Sequence, residues 1–140
     1  MLGEHCIKSW SITQTVIALS SGEAEYYSMV KGASVALGLI GMLSDFGCDM
    51  NVVLRTDSSA AKGIGSRRGL GKVRHIELSQ LWLQEKVTTG TVQIMKIAGV
   101  DNLSDSLTKH STAERIGQTL RGVNQDIVFG RHRLMPQVAE

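Results

Sequence analysis

Ser20 and Glu23 stand three residues apart, just ahead of the apolar series Tyr26, Met29, Val30, Ala33, Leu37 and Ile40. This capped stripe constrains the fold more than any other feature of the chain. A serine there can accept from the backbone N–H three residues on, and the glutamate can reach back to the cap. The apolar residues recur at helical spacing along one face. The pattern predicts a long helix from Ser20 to about Gly47, with Gly38 and Gly41 weakening its end. Such a face must lie on another element. NVVLRT, Asn51–Thr56, is the first candidate: a short apolar run read as a strand covered on both faces.

Around these two elements the chain alternates. Residues 5–10 and 16–20 read as short strands, the second holding the compact run VIAL. Ser58–Ile64 reads as a short helix, Val73–Thr88 as a second long one with apolar residues on two sides, and Thr91–Ala98 as a strand. Helices near Asn102–Lys109 and Thr112–Leu120 follow. Strands alternating with helices imply an α/β protein. One domain is expected over residues 1–121. Residues 122–140 lack periodicity, hold the single proline, and are expected to form a loosely ordered tail.

Composition excludes several classes. With 42% hydrophobic and 20% charged residues the 140-residue chain is globular in type, not disordered. Cys6 and Cys48 form no disulfide framework, which fits a reducing, intracellular setting, and the four histidines show no zinc spacing. No uninterrupted apolar run approaches the length of a membrane span, and no signal peptide is evident, so no membrane partner is expected.

Several acids fall where strands and helices meet. Glu23 and Glu25 lie in the opening turns of the first long helix, Asp57 ends the NVVLRT strand, and Asp105 lies early in a later helix. In open α/β sheets, functional groups gather at the carboxyl ends of strands. Carboxylates arriving there from separate elements suit a hard divalent cation such as Mg²⁺. Two such ions about 3.5–4 Å apart can support phosphodiester cleavage. A first-turn Glu also serves a helix dipole, and an Asp between strand and helix also serves as a cap. Glu23 and Glu25 flank the apolar stripe at about 80° on opposite sides of its centre, so periodicity does not choose between them.

Four motifs in order add specificity: ALSSGEAEY (Ala18–Tyr26), LRTDSSAAKGI (Leu54–Ile64), RHIELSQLWLQEKV (Arg74–Val87) and DNLSDSLTKH (Asp101–His110), with KSW at Lys8–Trp10 before them. Together they resemble the ribonuclease H domain of copia-type LTR-retrotransposon Pol polyproteins, over roughly residues 3–115. The resemblance implies a ribonuclease H-like fold, a mixed sheet flanked by helices. It also implies Mg²⁺- or Mn²⁺-dependent hydrolysis of the RNA strand of RNA–DNA hybrids at a two-ion site. The implied partners are the hybrid and the reverse transcriptase domain of the same polyprotein, in the cytoplasm, a retrotransposon particle or the nucleus.

The segment AEY resembles the family's AEL-type segment and so selects Glu25. Asp57 and Asp105 match the two other carboxylates. The family's first-strand aspartate has no counterpart here. The expectation is therefore a sheet without its first strand, an open edge that favours self-association, and weak or absent nuclease activity. The alternative expectation is a noncatalytic remnant that binds nucleic acid or packs on a reverse transcriptase.

Between Asp57 and Glu77 there are no acids, while Lys62, Arg67, Arg68, Lys72 and Arg74 lie among four glycines. A pliable basic segment beside a carboxylate cluster suits a phosphate backbone, held by charge and not by base identity. Gly63-Ile64-Gly65 does not complete a dinucleotide-binding loop, because Arg68 takes the last glycine position and the segment follows a helix.

Overall fold

The computed structural model describes residues 1–73, 75–128 and 130. Arg74 and most of the sequence-predicted tail (Phe129 and residues 131–140) lie outside the described residues. Among the described residues the architecture is mixed α/β, with four α-helices and a two-stranded parallel sheet. In chain order these are α1 (Ser21–Asp45), β1 (Val52–Thr56), α2 (Ser59–Gly65), α3 (Trp82–Thr88), β2 (Val92–Lys96) and α4 (Ala113–Gly122). Two compact units form. One comprises Ile12–Asn102, the other Met1–Ser11 with Leu103–Glu140.

The larger unit holds the core. Tyr26, Met29, Val30 and Ala33 of α1 are buried with Val52, Ala61, Ile64, Ile76, Leu83, Val92 and Ile94. The α1 stripe predicted from spacing is thus the core face, and Ser20 caps the helix by accepting from the Glu23 N–H. By length and composition α1 could also cross a bilayer, but its stripe covers the sheet as a core helix does. β1 and β2 run parallel with Val52 opposite Val92 and Thr56 opposite Lys96. A parallel pair needs a crossover, supplied here by α2 and α3.

Four expectations are corrected. Residues 5–10 and 16–20 form no strands, so the sheet is not mixed. Val16 and Ala18 still pack on the core while Ile17 and Leu19 point outward, an alternation without a ladder. The Leu19 N–H that would serve a ladder instead donates to the Glu23 carboxylate at 2.9 Å. The segment before it is held to α1 by Gln14, whose amide donates to the Ala24 carbonyl at 2.7 Å.

The NVVLRT strand is not covered on both faces, since Val53 and Arg55 are exposed and Val52 and Thr56 buried. The alternation follows from having helices on one side only. Finally, the predicted helix over Val73–Thr88 forms only at Trp82–Thr88, after a 3₁₀ turn at Leu78–Gln80. Val73 and Ile76 are β-branched and favour extended backbone. Leaving the helix lets Ile76 enter the core and His75 reach α1.

In the smaller unit, Thr112 caps α4 by accepting from the Arg115 N–H. The Ser106 and Thr119 hydroxyls meet at 2.6 Å, and the Asn124 amide lies 3.2 Å from His5 Nδ1. None of the described residues of this unit is fully buried, in contrast to the larger one.

Candidate functional site

Glu25 and Asp57 both belong to the larger unit, and local packing draws their elements together. A Cβ placed on Gly22, in the first turn of α1, would stand 2.6 Å from Cβ of Ala60 in the first turn of α2. The absence of a side chain at Gly22 is what allows this approach. Glu25 follows Gly22 by three residues and Asp57 precedes Ala60 by three. On a helix at 100° per residue, Glu25 lies about 60° from Gly22, and Glu23 about 100° away on the other side. Glu25 therefore flanks the α2-facing stripe and is exposed.

Asp57 emerges half-buried from the carboxyl end of β1. Its Oδ2 lies 3.5 Å from where a Cβ would stand on Gly99, in the 3₁₀ turn Gly99–Asp101 that follows β2. The next residues turn sharply away. The Ser58 N–H donates to Thr56 Oγ1 at 3.1 Å, and Ser58 Oγ accepts from the Ala61 N–H to cap α2. Ser58, not Asp57, is the cap, which leaves the Asp57 carboxylate outside the capping arrangement.

Glu23 is committed elsewhere. It is 4% exposed, and its Oε2 accepts from the Leu19 N–H and lies 2.6 Å from His75 Nε2. The capping box expected from spacing is displaced by one residue, because Glu23 reaches Leu19 and not the cap itself. The hydrogen bond with His75 holds the Glu23 carboxyl below its ordinary value of 4.5, against an opposing push from burial. The Leu19 N–H and the Ser20 hydroxyl add to the lowering. A carboxylate depressed in the folded state contributes stability that is complete above the ordinary value and is lost as pH falls through the depressed one. The melting temperature is accordingly expected to fall on acidification below about pH 4.5, and to fall less steeply in Glu23→Gln. Thermal melts from pH 6 to 3 check this, and equal slopes in the two proteins would count against it.

Asp105 lies in the smaller unit, on the 3₁₀ helix Leu103–Leu107 instead of an α-helix. Its Oδ2 accepts from Lys109 Nζ at 2.7 Å, in a pair open to solvent and so of little energetic weight. Within neither unit do three or more metal-competent side chains gather among the described residues. In the larger unit, Glu25 and Asp57 are the accessible carboxylates next to the Gly22–Ala60 contact. Their oxygen donors fit a hard cation, which takes few carboxylates and keeps its waters.

The basic segment is more tightly held than its glycines imply. Gln84, 5% exposed on α3, binds Gly69 twice: its Oε1 accepts from the Gly69 N–H at 2.8 Å, and its Nε2 donates to the Gly69 carbonyl at 3.1 Å. The same Nε2 donates to the Ile64 carbonyl at 2.9 Å. Gly69 has φ +77° and Gly71 φ +58°, a region that favours glycine. Arg67 folds back inside the loop, donating to the Leu70 carbonyl, and its Cζ lies 2.7 Å from where a Gly71 Cβ would stand. Lys62 is half-buried on α2, while Arg68 and Lys72 are exposed. Gln84 and the inward turn of Arg67 were not legible in the sequence, since both depend on backbone groups that only the folded loop presents.

Comparison with known proteins gives a distant relationship. The chain is 27% identical over 111 residues to the "Retrovirus-related Pol polyprotein from transposon RE2" of Arabidopsis thaliana, covering 77% of the chain and 8% of the relative. It is 29% identical over 104 residues to the corresponding polyprotein from transposon TNT 1-94 of Nicotiana tabacum, covering 72% of the chain and 8% of the relative. A third relative, from transposon RE1 of Arabidopsis thaliana, is 26% identical over 111 residues, covering 77% of the chain and 8% of its own length. The chain is thus distantly similar, over most of its length, to copia-type retrotransposon Pol polyproteins, and the match spans about 8% of each relative's length. No family model matches the chain, and no solved structure matches it.

Proposed function

We propose that the chain is a ribonuclease H-like segment of a retrotransposon Pol polyprotein, whose chemistry is divalent-metal-dependent hydrolysis of the RNA strand of an RNA–DNA hybrid. The observation that carries this reading is the close approach of α1 and α2 at Gly22 and Ala60, each three residues from a motif carboxylate, Glu25 and Asp57, in a chain related to Pol polyproteins. Asp105, in its matching motif, is a further candidate carboxylate and belongs to the smaller unit. Glu25 and Asp57 would hold Mg²⁺ or Mn²⁺, which when bound polarises a phosphoryl oxygen and lowers the pKa of water.

The remaining work falls to the protein's own groups. Arg68 and Lys72 are exposed cations suited to the phosphate backbone. Lys62 belongs to the same proposed surface, while Arg67 supports the loop from within. The proposed partners are the hybrid and the reverse transcriptase domain of a Pol polyprotein.

The test is cleavage of a hybrid labelled on both strands, in Mg²⁺ and then Mn²⁺. The expected result is weak cleavage, confined to the RNA strand and lower still in Asp57→Asn, since a transition-state electrostatic contact is typically worth about 100-fold. Hybrid binding with no metal-dependent cleavage would favour a noncatalytic nucleic-acid-binding role. Cleavage unchanged in Asp57→Asn would remove the proposed site.

A further inference from the structure

β2 buries alternate residues. Val92 and Ile94 face the helices, while Gln93 and Met95 are exposed. The next position on the helix-facing side, by the two-residue period of a strand, is Lys96. A lysine in the third place of an otherwise apolar row is out of character for a core position. It falls at the carboxyl end of the sheet, directly opposite Thr56, the residue before Asp57.

Its ammonium sits on the hydroxyl of Ser59, the first residue of α2, and on no carboxylate among the described residues. The side chain therefore reaches from β2 to the first residue of α2, two positions after Asp57 in sequence. Lys96 itself is exposed. A cation fixed by a neutral partner, one strand away from Asp57, is suited to an anion that approaches the carboxylates from solvent.

We propose that Lys96 is a substrate-contacting residue that binds a nonbridging phosphate oxygen of the nucleic-acid strand next to the bond presented to Glu25 and Asp57, with Ser59 as its positioning partner. This rests on the nucleic-acid reading above. Lys96 stands apart from the basic loop, on a different strand and on the sheet itself. It would fix the strand's register against the carboxylates, whereas Arg68 and Lys72 supply general attraction from the loop.

The test is fluorescence-anisotropy titration of a labelled RNA–DNA hybrid with the full 140-residue chain, repeated across a series of KCl concentrations. Lys96→Met keeps the alkyl chain and removes the charge. It is expected to weaken binding about 3- to 10-fold and to lower the slope of log Kd against log[KCl] by about one phosphate contact. Lys96→Arg is expected to keep the wild-type slope. Ser59→Ala, which leaves the charge and removes its anchor, is expected to weaken binding about twofold at unchanged slope.

Wild-type affinity and slope in Lys96→Met would overturn the proposal while leaving the nucleic-acid reading intact. Failure of the wild-type chain to bind hybrid at all would overturn both. Should Lys96→Met fail to fold, as judged by its melt, Lys96→Gln provides the same comparison.

Discussion

Replacing Gln84 by alanine is expected to destabilise the larger unit by about 2–4 kcal/mol, the range for breaking a buried, fully engaged polar network. The substitution strips partners from the Gly69 N–H and from the carbonyls of Gly69 and Ile64, all served now by one side chain. A buried amide group left unpaired costs more than the net worth of the bond it lost. For a unit of this size the melting temperature should fall by roughly 10–25 °C.

Gln84→Glu sharpens the test. Its carboxylate would still accept from Gly69 but would set an oxygen against two carbonyls. Burial and that arrangement would raise its pKa in the folded state. The penalty should therefore be present at neutral pH and ease on acidification, as the protonated form regains a donor. Differential scanning calorimetry at pH 7 and pH 5 distinguishes these cases. A melting temperature within a degree or two of wild type for both variants would show that the clamp carries little stability.

The second large effect is expected at Gly22. Its alanine variant would bring two Cβ atoms to 2.6 Å. Neither methyl has a rotamer through which to escape, so α1 and α2 must separate. Overpacking of this kind costs about 1–3 kcal/mol, offset in part by alanine's better helix propensity. The compensating change is Ala60→Gly, which removes the other methyl. The double variant should therefore be more stable than the sum of the two single changes implies, the signature of a direct contact. Strict additivity in chemical denaturation would argue against this packing. The variant also moves the turn carrying Glu25 away from the strand end carrying Asp57. Any metal-dependent cleavage should accordingly fall further in Gly22→Ala than the loss of folded protein explains.

The elements most legible in the sequence were those fixed by local chemistry. Ser20 announced the start of α1 because a cap is a short-range interaction, and the stripe through Ala33 announced its buried face because period 3.6 is written in consecutive residues. β1, α2, β2 and α4 were readable within a residue or two for the same reason. The failures lie where a distant partner decides. VIAL carries strand propensity, yet Leu19 spends its N–H on Glu23 and no ladder forms. Residues 73–77 carry helical spacing, yet Ile76 and His75 are worth more as core and tether.

At the candidate site, spacing left Glu23 and Glu25 equivalent. They separate once His75, fifty-two residues away, is seen beside Glu23. Lys96 carries a signal in sequence, a charge in step with Val92 and Ile94 at the end of TVQIMK. Gln84 had none, because a glutamine on a helix is ordinary until the carbonyls it serves are known.

The tie between His75 and Glu23 has a consequence for how variation in this chain would be interpreted. The tetrad Gly22-Glu23-Ala24-Glu25 holds two acids of the same type, a hand's breadth apart in sequence, answering to separate constraints. One is accountable to folding, through the tether; the other is the carboxylate proposed for the chemistry. On that proposal, lineages that lose the chemistry but keep the fold would change at Glu25 sooner than at Glu23. The pattern of decay across those two codons would therefore date the loss of activity separately from the loss of structure.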